Sequence, residues 1–156
     1  MTDLSLAAEE DTAALGGALA RCLRGGELIT LRGPLGAGKT TLVRALLQAL
    51  GYEGRVKSPT YTLVESYEAG GLRLHHFDLY RLEDPEALEY LGIRDFLDGH
   101  AVCLVEWPER GEGLLPEADL ELVLDYGEGG RRLALHAHGE GGRRLRDCIL
   151  SGSDPS

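Results

Sequence analysis

Residues Gly33-Pro34-Leu35-Gly36-Ala37-Gly38-Lys39-Thr40 match the pattern GxxxxGK followed by Ser or Thr at every required position. The pattern constrains the fold because it needs a strand entering it and a helix leaving it. Both are predicted here. Glu27 to Arg32 (ELITLR) is a short apolar run that reads as a buried strand, and a helix follows from about Thr40 to Leu50, closed by Gly51. Glycines at 33, 36 and 38 let the backbone curl so that its N–H groups face phosphate oxygens, and the helix adds its positive N-terminus. Gly33, Leu35, Gly36, Ala37, Gly38, Lys39, Thr40 and Thr41 therefore form the expected phosphate-binding set. Lys39 is expected to face the β- and γ-phosphates as a catalytic cation, and the Thr40 hydroxyl to ligate Mg²⁺. A glycine-rich turn matching by accident would lack that strand and helix.

The rest of the chain supplies a sheet around this unit. Leu15, Ala18, Leu19, Cys22 and Leu23 repeat at helical spacing, and Gly25-Gly26 ends that helix. Strands are predicted over 61–68 and 72–77, joined as a hairpin through Ala69-Gly70-Gly71. Asp84-Pro85-Glu86 is a helix start running to Leu91, with a second short helix over 93–97. Ala101 to Val105 (AVCLV) is a second buried strand. Segments 120–126 and 132–138 alternate about the turn Gly127-Glu128-Gly129-Gly130 as an antiparallel hairpin, and a last helix is expected over 141–150. The expected fold class is α/β: a P-loop-type sheet of mixed strand direction flanked by helices, with an antiparallel hairpin near the C-terminus. One domain is expected over residues 1–150, with 151–156 as a frayed tail.

With 43% hydrophobic and 27% charged residues, the composition is that of an ordinary globular protein. No apolar run approaches the roughly 18 residues of a membrane span, and Met1 to Glu10 lack the marks of an export signal, so a cytoplasmic protein is expected. Cys22, Cys103 and Cys148 sit in apolar or helical settings without CxxC spacing, and read as buried free thiols. A formal charge of −10 argues against a broad nucleic-acid footprint. Arg143, Arg144 and Arg146 could cluster, but a solvated helix face is the better reading of them. Any role near RNA is expected to run through protein partners, with no direct DNA binding.

A phosphate-bound metal needs an acidic partner at the end of a neighbouring strand. Glu106 follows AVCLV and is assigned to the metal; Asp78 follows the strand ending at Phe77 and is assigned to positioning the attacking water. A solvated acid at a strand end is the plain alternative for each. Ser58 and Thr60 lie where a phosphate-sensing switch would carry its hydroxyls, although a simple loop fits the same residues. Guanine-reading motifs need a lysine, and the chain's lysines, Lys39 and Lys57, lack that setting, so ATP is favoured over GTP. His75-His76 and His136/His138 read as strand histidines rather than zinc ligands. Trp107 could stack, anchor an interface or cover the sheet. Of the arginines near the loop in sequence, Arg32, Arg44 and Arg81, only Arg81 suits an internal finger.

These pieces together resemble the bacterial TsaE family, formerly YjeE. The match runs through GPLGAGKTTLVRAL (33–46), VKSPTYTLVESY (56–67), HFDLYRL (76–82), DPEALEYLGIRDF (84–96) and VEWPERG (105–111), and departs at Pro34, where the family usually carries Asp. The resemblance implies an ATPase of the machinery that makes threonylcarbamoyladenosine beside the tRNA anticodon, working with the TsaB–TsaD complex and slow by itself. It supports Thr40 and Glu106 as Mg²⁺ ligands, Asp78 in hydrolysis and 58–60 as a switch, and adds Thr12 as a nucleotide contact. Two other readings stay open. A small-molecule kinase would need an arginine-bearing lid, which the acidic 84–99 segment does not resemble. A nucleotide-gated adaptor would need binding without turnover.

Overall fold

The computed structural model describes residues 2–6, 9–34, 37–127 and 130–151, with side chains described from residue 10 onward. In chain order the elements are β1 (Thr2–Leu6), α1 (Glu9–Cys22), β2 (Leu28–Arg32), α2 (Lys39–Ala49), β3 (Val64–Ala69), β4 (Leu72–Asp78), α3 (Glu86–Leu91), α4 (Ile93–Phe96) and β5 (Val102–Glu106). A single 3₁₀ turn (Pro108–Gly111), β6 (Leu120–Gly127), β7 (Gly130–Ala137) and α5 (Gly139–Ser151) complete them. The strands form one seven-stranded sheet in the order β1-β7-β6-β2-β5-β4-β3. Its centre is parallel (β6, β2, β5 and β4), and its margins turn antiparallel through β3, β7 and β1. The mixed sheet, flanking helices and C-terminal hairpin agree with the expected fold class.

Side-chain alternation along the central strands explains the layers. Ile29 and Leu31 of β2, with Val102 and Leu104 of β5, face the core under α1, α2 and α5. Leu28, Cys103 and Val105 point the other way, into a second core with Phe77, Leu88 and Ile93 under α3 and α4. Covered on both faces, β5 is buried throughout, which is why its sequence is a continuous apolar run. Gly16 lets α1 approach α2, since a β-carbon there would lie 2.7 Å from Ala45 Cβ.

The structure departs from the expected elements at four places. First, β1 adds an edge strand where none is predicted, and joins the sheet through β7. Second, β3 starts at Val64 rather than at 61, because the Leu63 amide donates to Pro59 O (2.9 Å) and closes a turn through the preceding residues. Third, α5 begins at Gly139 and runs through Ser151; residues 152–156 of the expected tail lie outside the described residues. Fourth, Cys22 and Cys148 are not free thiols. They form a disulfide with Cα atoms 5.9 Å apart, because α5 packs beside α1 and brings together residues 126 positions apart. Cys103 is free and buried, and burial pushes its thiol up to about 12.

Candidate nucleotide site

The parallel centre of the sheet decides where the site lies. β2, β5 and β4 run the same way, with Leu31 opposite Glu106 and Glu106 opposite Asp78. The loop after β2 and both acids therefore emerge side by side at the carboxyl edge, where open α/β sheets place their ligands.

Loop geometry depends on two glycines. Gly33 has φ 147°, and a β-carbon there would overlap the Leu124 carbonyl, so only glycine fits. Gly38 has φ 103° and immediately precedes α2. Leu42 N–H to Gly38 O (2.9 Å) closes the first helical bond, so the amides of Lys39, Thr40 and Thr41 lie in the unpaired first turn. Leu35 and Gly36 lie outside the described residues. Ala37 is buried in the core beneath the loop.

Lys39 is only 4% exposed. Its ammonium donates to the Gly33 carbonyl, lies 3.4 Å from Pro34 O, and sits 4.0 Å over the Trp107 ring. Burial lowers its pKa, opposed first by the negative charge of Glu106 and then of Asp78. Trp107 adopts a left-handed backbone (φ 57°), a strained state for a bulky residue that aims its ring at Lys39 and at Tyr80, 5.0 Å away.

Glu106 is 3% exposed at the end of β5. The Thr40 hydroxyl donates toward its Oε2 at 3.1 Å and lies 3.4 Å from Oε1. His76, fully buried on β4, holds Oε2 at 2.5 Å through Nε2. Asp78 Oδ1 accepts the Tyr80 N–H (3.0 Å), and Oδ2 lies 3.4 Å from the Thr60 hydroxyl. Burial raises the Asp78 pKa, while the Tyr80 N–H works in the opposite direction. Exposed Ser58 and half-buried Thr60 share a 2.7 Å hydrogen bond, so the 58–60 segment reaches the site through Thr60.

Gly38, Lys39, Thr40, Thr41, Thr60, Asp78, Tyr80, Arg81, Glu106, Trp107 and Arg131 line one cavity of about 370 Å³. The structure thus brings together most of the residues singled out from sequence. Thr12 is buried on α1 and is not among the described residues lining that cavity. Three features of the site carry no signal in the sequence. His76 is a partner of Glu106 rather than an ordinary strand histidine; His75 is the ordinary one, bonded to Ser66 (2.7 Å). Arg131, on β7, places its guanidinium against Gly38, where a glycine β-carbon would lie 2.7 Å from Nη1. No spacing signal marks it, because the sheet alone carries the hairpin to the loop. Tyr80 completes the wall from the turn after β4. Arg32 points elsewhere, paired with Glu109 (2.9 Å) and Glu121 (2.5 Å). Of the C-terminal arginines, Arg144 bonds Glu27 and the Cys22 carbonyl, both at 3.2 Å, so it ties α5 to the end of α1.

The donor set suits a small hard cation. A hydroxyl and a carboxylate lie 3.1 Å apart beside the glycine-rich loop, and magnesium takes oxygen ligands, usually one or two from protein and the rest from phosphate and water. Lys39, Arg81 and Arg131 place positive charge on the same walls.

A model of the family described as threonylcarbamoyl adenosine biosynthesis protein TsaE matches residues 6–133. The chain is 54% identical over 110 residues to the tRNA threonylcarbamoyladenosine biosynthesis protein TsaE of Haemophilus influenzae, covering 70% of each chain. It is 39% identical over 131 residues to the Bacillus subtilis protein of the same name, covering 83% of this chain and 82% of that one. A crystal structure of Bacillus subtilis YdiB is similar over 96% of this chain and 95% of its own, with a TM-score of 0.79 at 30% identity.

Proposed function

The chain belongs to the TsaE family of tRNA threonylcarbamoyladenosine biosynthesis, and from that premise we propose that it binds and hydrolyses ATP with Mg²⁺ to support that modification. The observation carrying this reading is the Thr40–Glu106 pair at the start of α2, with Asp78 in register beside Glu106. Phosphates would rest on the first-turn amides of α2, with Lys39 leaving the Gly33 carbonyl to face the β- and γ-oxygens. Thr40 and Glu106 would hold Mg²⁺, whose chemistry is to neutralise charge developing on those oxygens. Asp78 would orient the attacking water, and its raised pKa suits an acid that exchanges a proton there. Thr60, beside Asp78, would let the 58–60 segment respond to the γ-phosphate.

We also propose that turnover is slow in the isolated chain and is raised by the TsaB–TsaD complex, in the cytoplasm, with tRNA met only through those partners. Exposed Tyr61 and Arg81, stacked at 4.6 Å beside the cavity, are open to a partner at its rim. No helix among the described residues is long and apolar enough to cross a membrane.

The decisive experiment measures phosphate release from ATP, alone and with TsaB–TsaD, for the natural chain and Lys39→Ala. Release without an acceptor, stimulated by the partners and abolished by Lys39→Ala, supports the reading. Unchanged turnover in Lys39→Ala removes it, and binding without any release favours an adaptor.

A further inference from the structure

We infer that His76 is a positioning residue that fixes the Glu106 carboxylate for magnesium; the inference rests on the ATP–Mg²⁺ reading above. Parallel pairing of β4 with β5 sets His76 opposite Leu104 and Asp78 opposite Glu106. Side chains two apart on a strand share a face, so His76 lies diagonally beneath Glu106, on the face covered by α2. The contact is the shortest polar one at Glu106, with Nε2 2.5 Å from Oε2, and the two side chains are 1% and 3% exposed.

Burial gives this contact its weight. A carboxylate removed from water needs donors, and Thr40 alone supplies longer contacts of 3.1 and 3.4 Å. His76 Nδ1 is buried with no hydrogen-bond partner among the described residues. A carboxylate only accepts, so Nε2, the ring nitrogen that faces Oε2, is the donor of this contact. Among the described residues the hydrogen bond to Glu106 is the one this ring makes. With Oε2 held by His76 on one side and approached by the Thr40 hydroxyl at 3.1 Å on the other, the carboxylate is fixed in orientation beside the residue that shares its proposed ligand. Partners behind a metal-binding carboxylate typically change metal affinity by about 10–100-fold when removed.

The test titrates Mg²⁺ against the full chain at a fixed concentration of a non-hydrolysable ATP analogue, reading analogue binding by calorimetry. His76→Phe keeps the ring volume and removes the donor; His76→Gln keeps an N–H donor. The expected result is a Mg²⁺ midpoint raised about tenfold or more in His76→Phe, largely restored in His76→Gln, with unchanged analogue binding in EDTA. In a Glu106→Gln background His76→Phe should add nothing, because it acts through that carboxylate. If circular dichroism shows His76→Phe unfolded, His76→Asn replaces it, its amide being too short to reach Oε2. An unshifted midpoint in the folded donor-free variant, or equal losses with and without the glutamine donor, overturns the positioning role. If analogue binding by the natural chain ignores Mg²⁺, or Thr40→Ala leaves its Mg²⁺ dependence intact, the ATP–Mg²⁺ reading itself fails.

Discussion

The Thr40 hydroxyl lies 3.1 Å from Glu106 Oε2 although 66 residues separate them. Two parallel strands and the loop between β2 and α2 create that contact, and the proposed division of labour with Asp78 follows from it. Thr40→Ala and Glu106→Ala are expected to raise the Mg²⁺ concentration needed for nucleotide binding. Asp78→Ala should spare binding and lower turnover by about 10²-fold or more, the scale of general acid–base or positioning effects. Magnesium titrations and single-turnover rates check both; identical Mg²⁺ curves for Glu106→Ala and Asp78→Ala would show that their roles are not separate.

Arg131 reaches the loop from β7, and its guanidinium packs against Gly38. Charge-assisted bonds contribute about 1.5–3 kcal/mol, so Arg131→Ala should weaken ATP binding about tenfold or more. Arg73, paired with Glu68 in an exposed ion pair on the β3–β4 hairpin, is the control, and Arg73→Ala should change nothing. Equal affinities for the two variants in a calorimetric titration would remove Arg131 from the site.

The Cys22–Cys148 bridge joins the C-terminal ends of α1 and α5. Thiol labelling of denatured, unreduced protein should modify one cysteine per chain, Cys103, which is buried in the fold. Reduction, or Cys22→Ala with Cys148→Ala, should lower unfolding free energy by about 2–4 kcal/mol in a denaturant titration. Three labelled cysteines before reduction would contradict the bridge.

His75 couples stability to pH. Burial holds its imidazole below the ordinary 6.5, with the Asp98 carboxylate pulling the other way. As pH falls through about 6.5 the unfolded chain takes up this proton first. Stability contributed here is therefore complete above that value and is lost as pH falls toward the lowered folded value. His75→Gln should flatten the pH dependence of the urea midpoint between pH 7 and 5. An unchanged slope in the variant would assign it to other groups.

Local patterns made much of this molecule legible. The glycine-rich loop, its strand and helix, and the acids at 78 and 106 each follow from short-range rules of glycine geometry, apolar runs and strand ends. Glu106 was readable as a site residue because its strand is buried on both faces and ends in a charge. His76 was not, because an alternating strand looks the same whether a buried histidine faces a carboxylate or a leucine. Only the pairing of β4 with β5 sets it against Glu106. Arg131 and β1 escaped for a related reason: their positions depend on where β7 lies in the sheet, which no neighbouring residue encodes.

The sequence by itself determined most of the elements, the glycine-rich turn between β2 and α2 and the acids at the ends of β4 and β5, since these are written in contiguous patterns. Tertiary structure alone decided which distant groups meet. It set His76 behind Glu106, Arg131 over Gly38 and Cys22 against Cys148. The physical reason is that such contacts arise from strand order and helix packing summed over the whole core. Local propensity constrains each element, while burial of two shared apolar faces selects their arrangement.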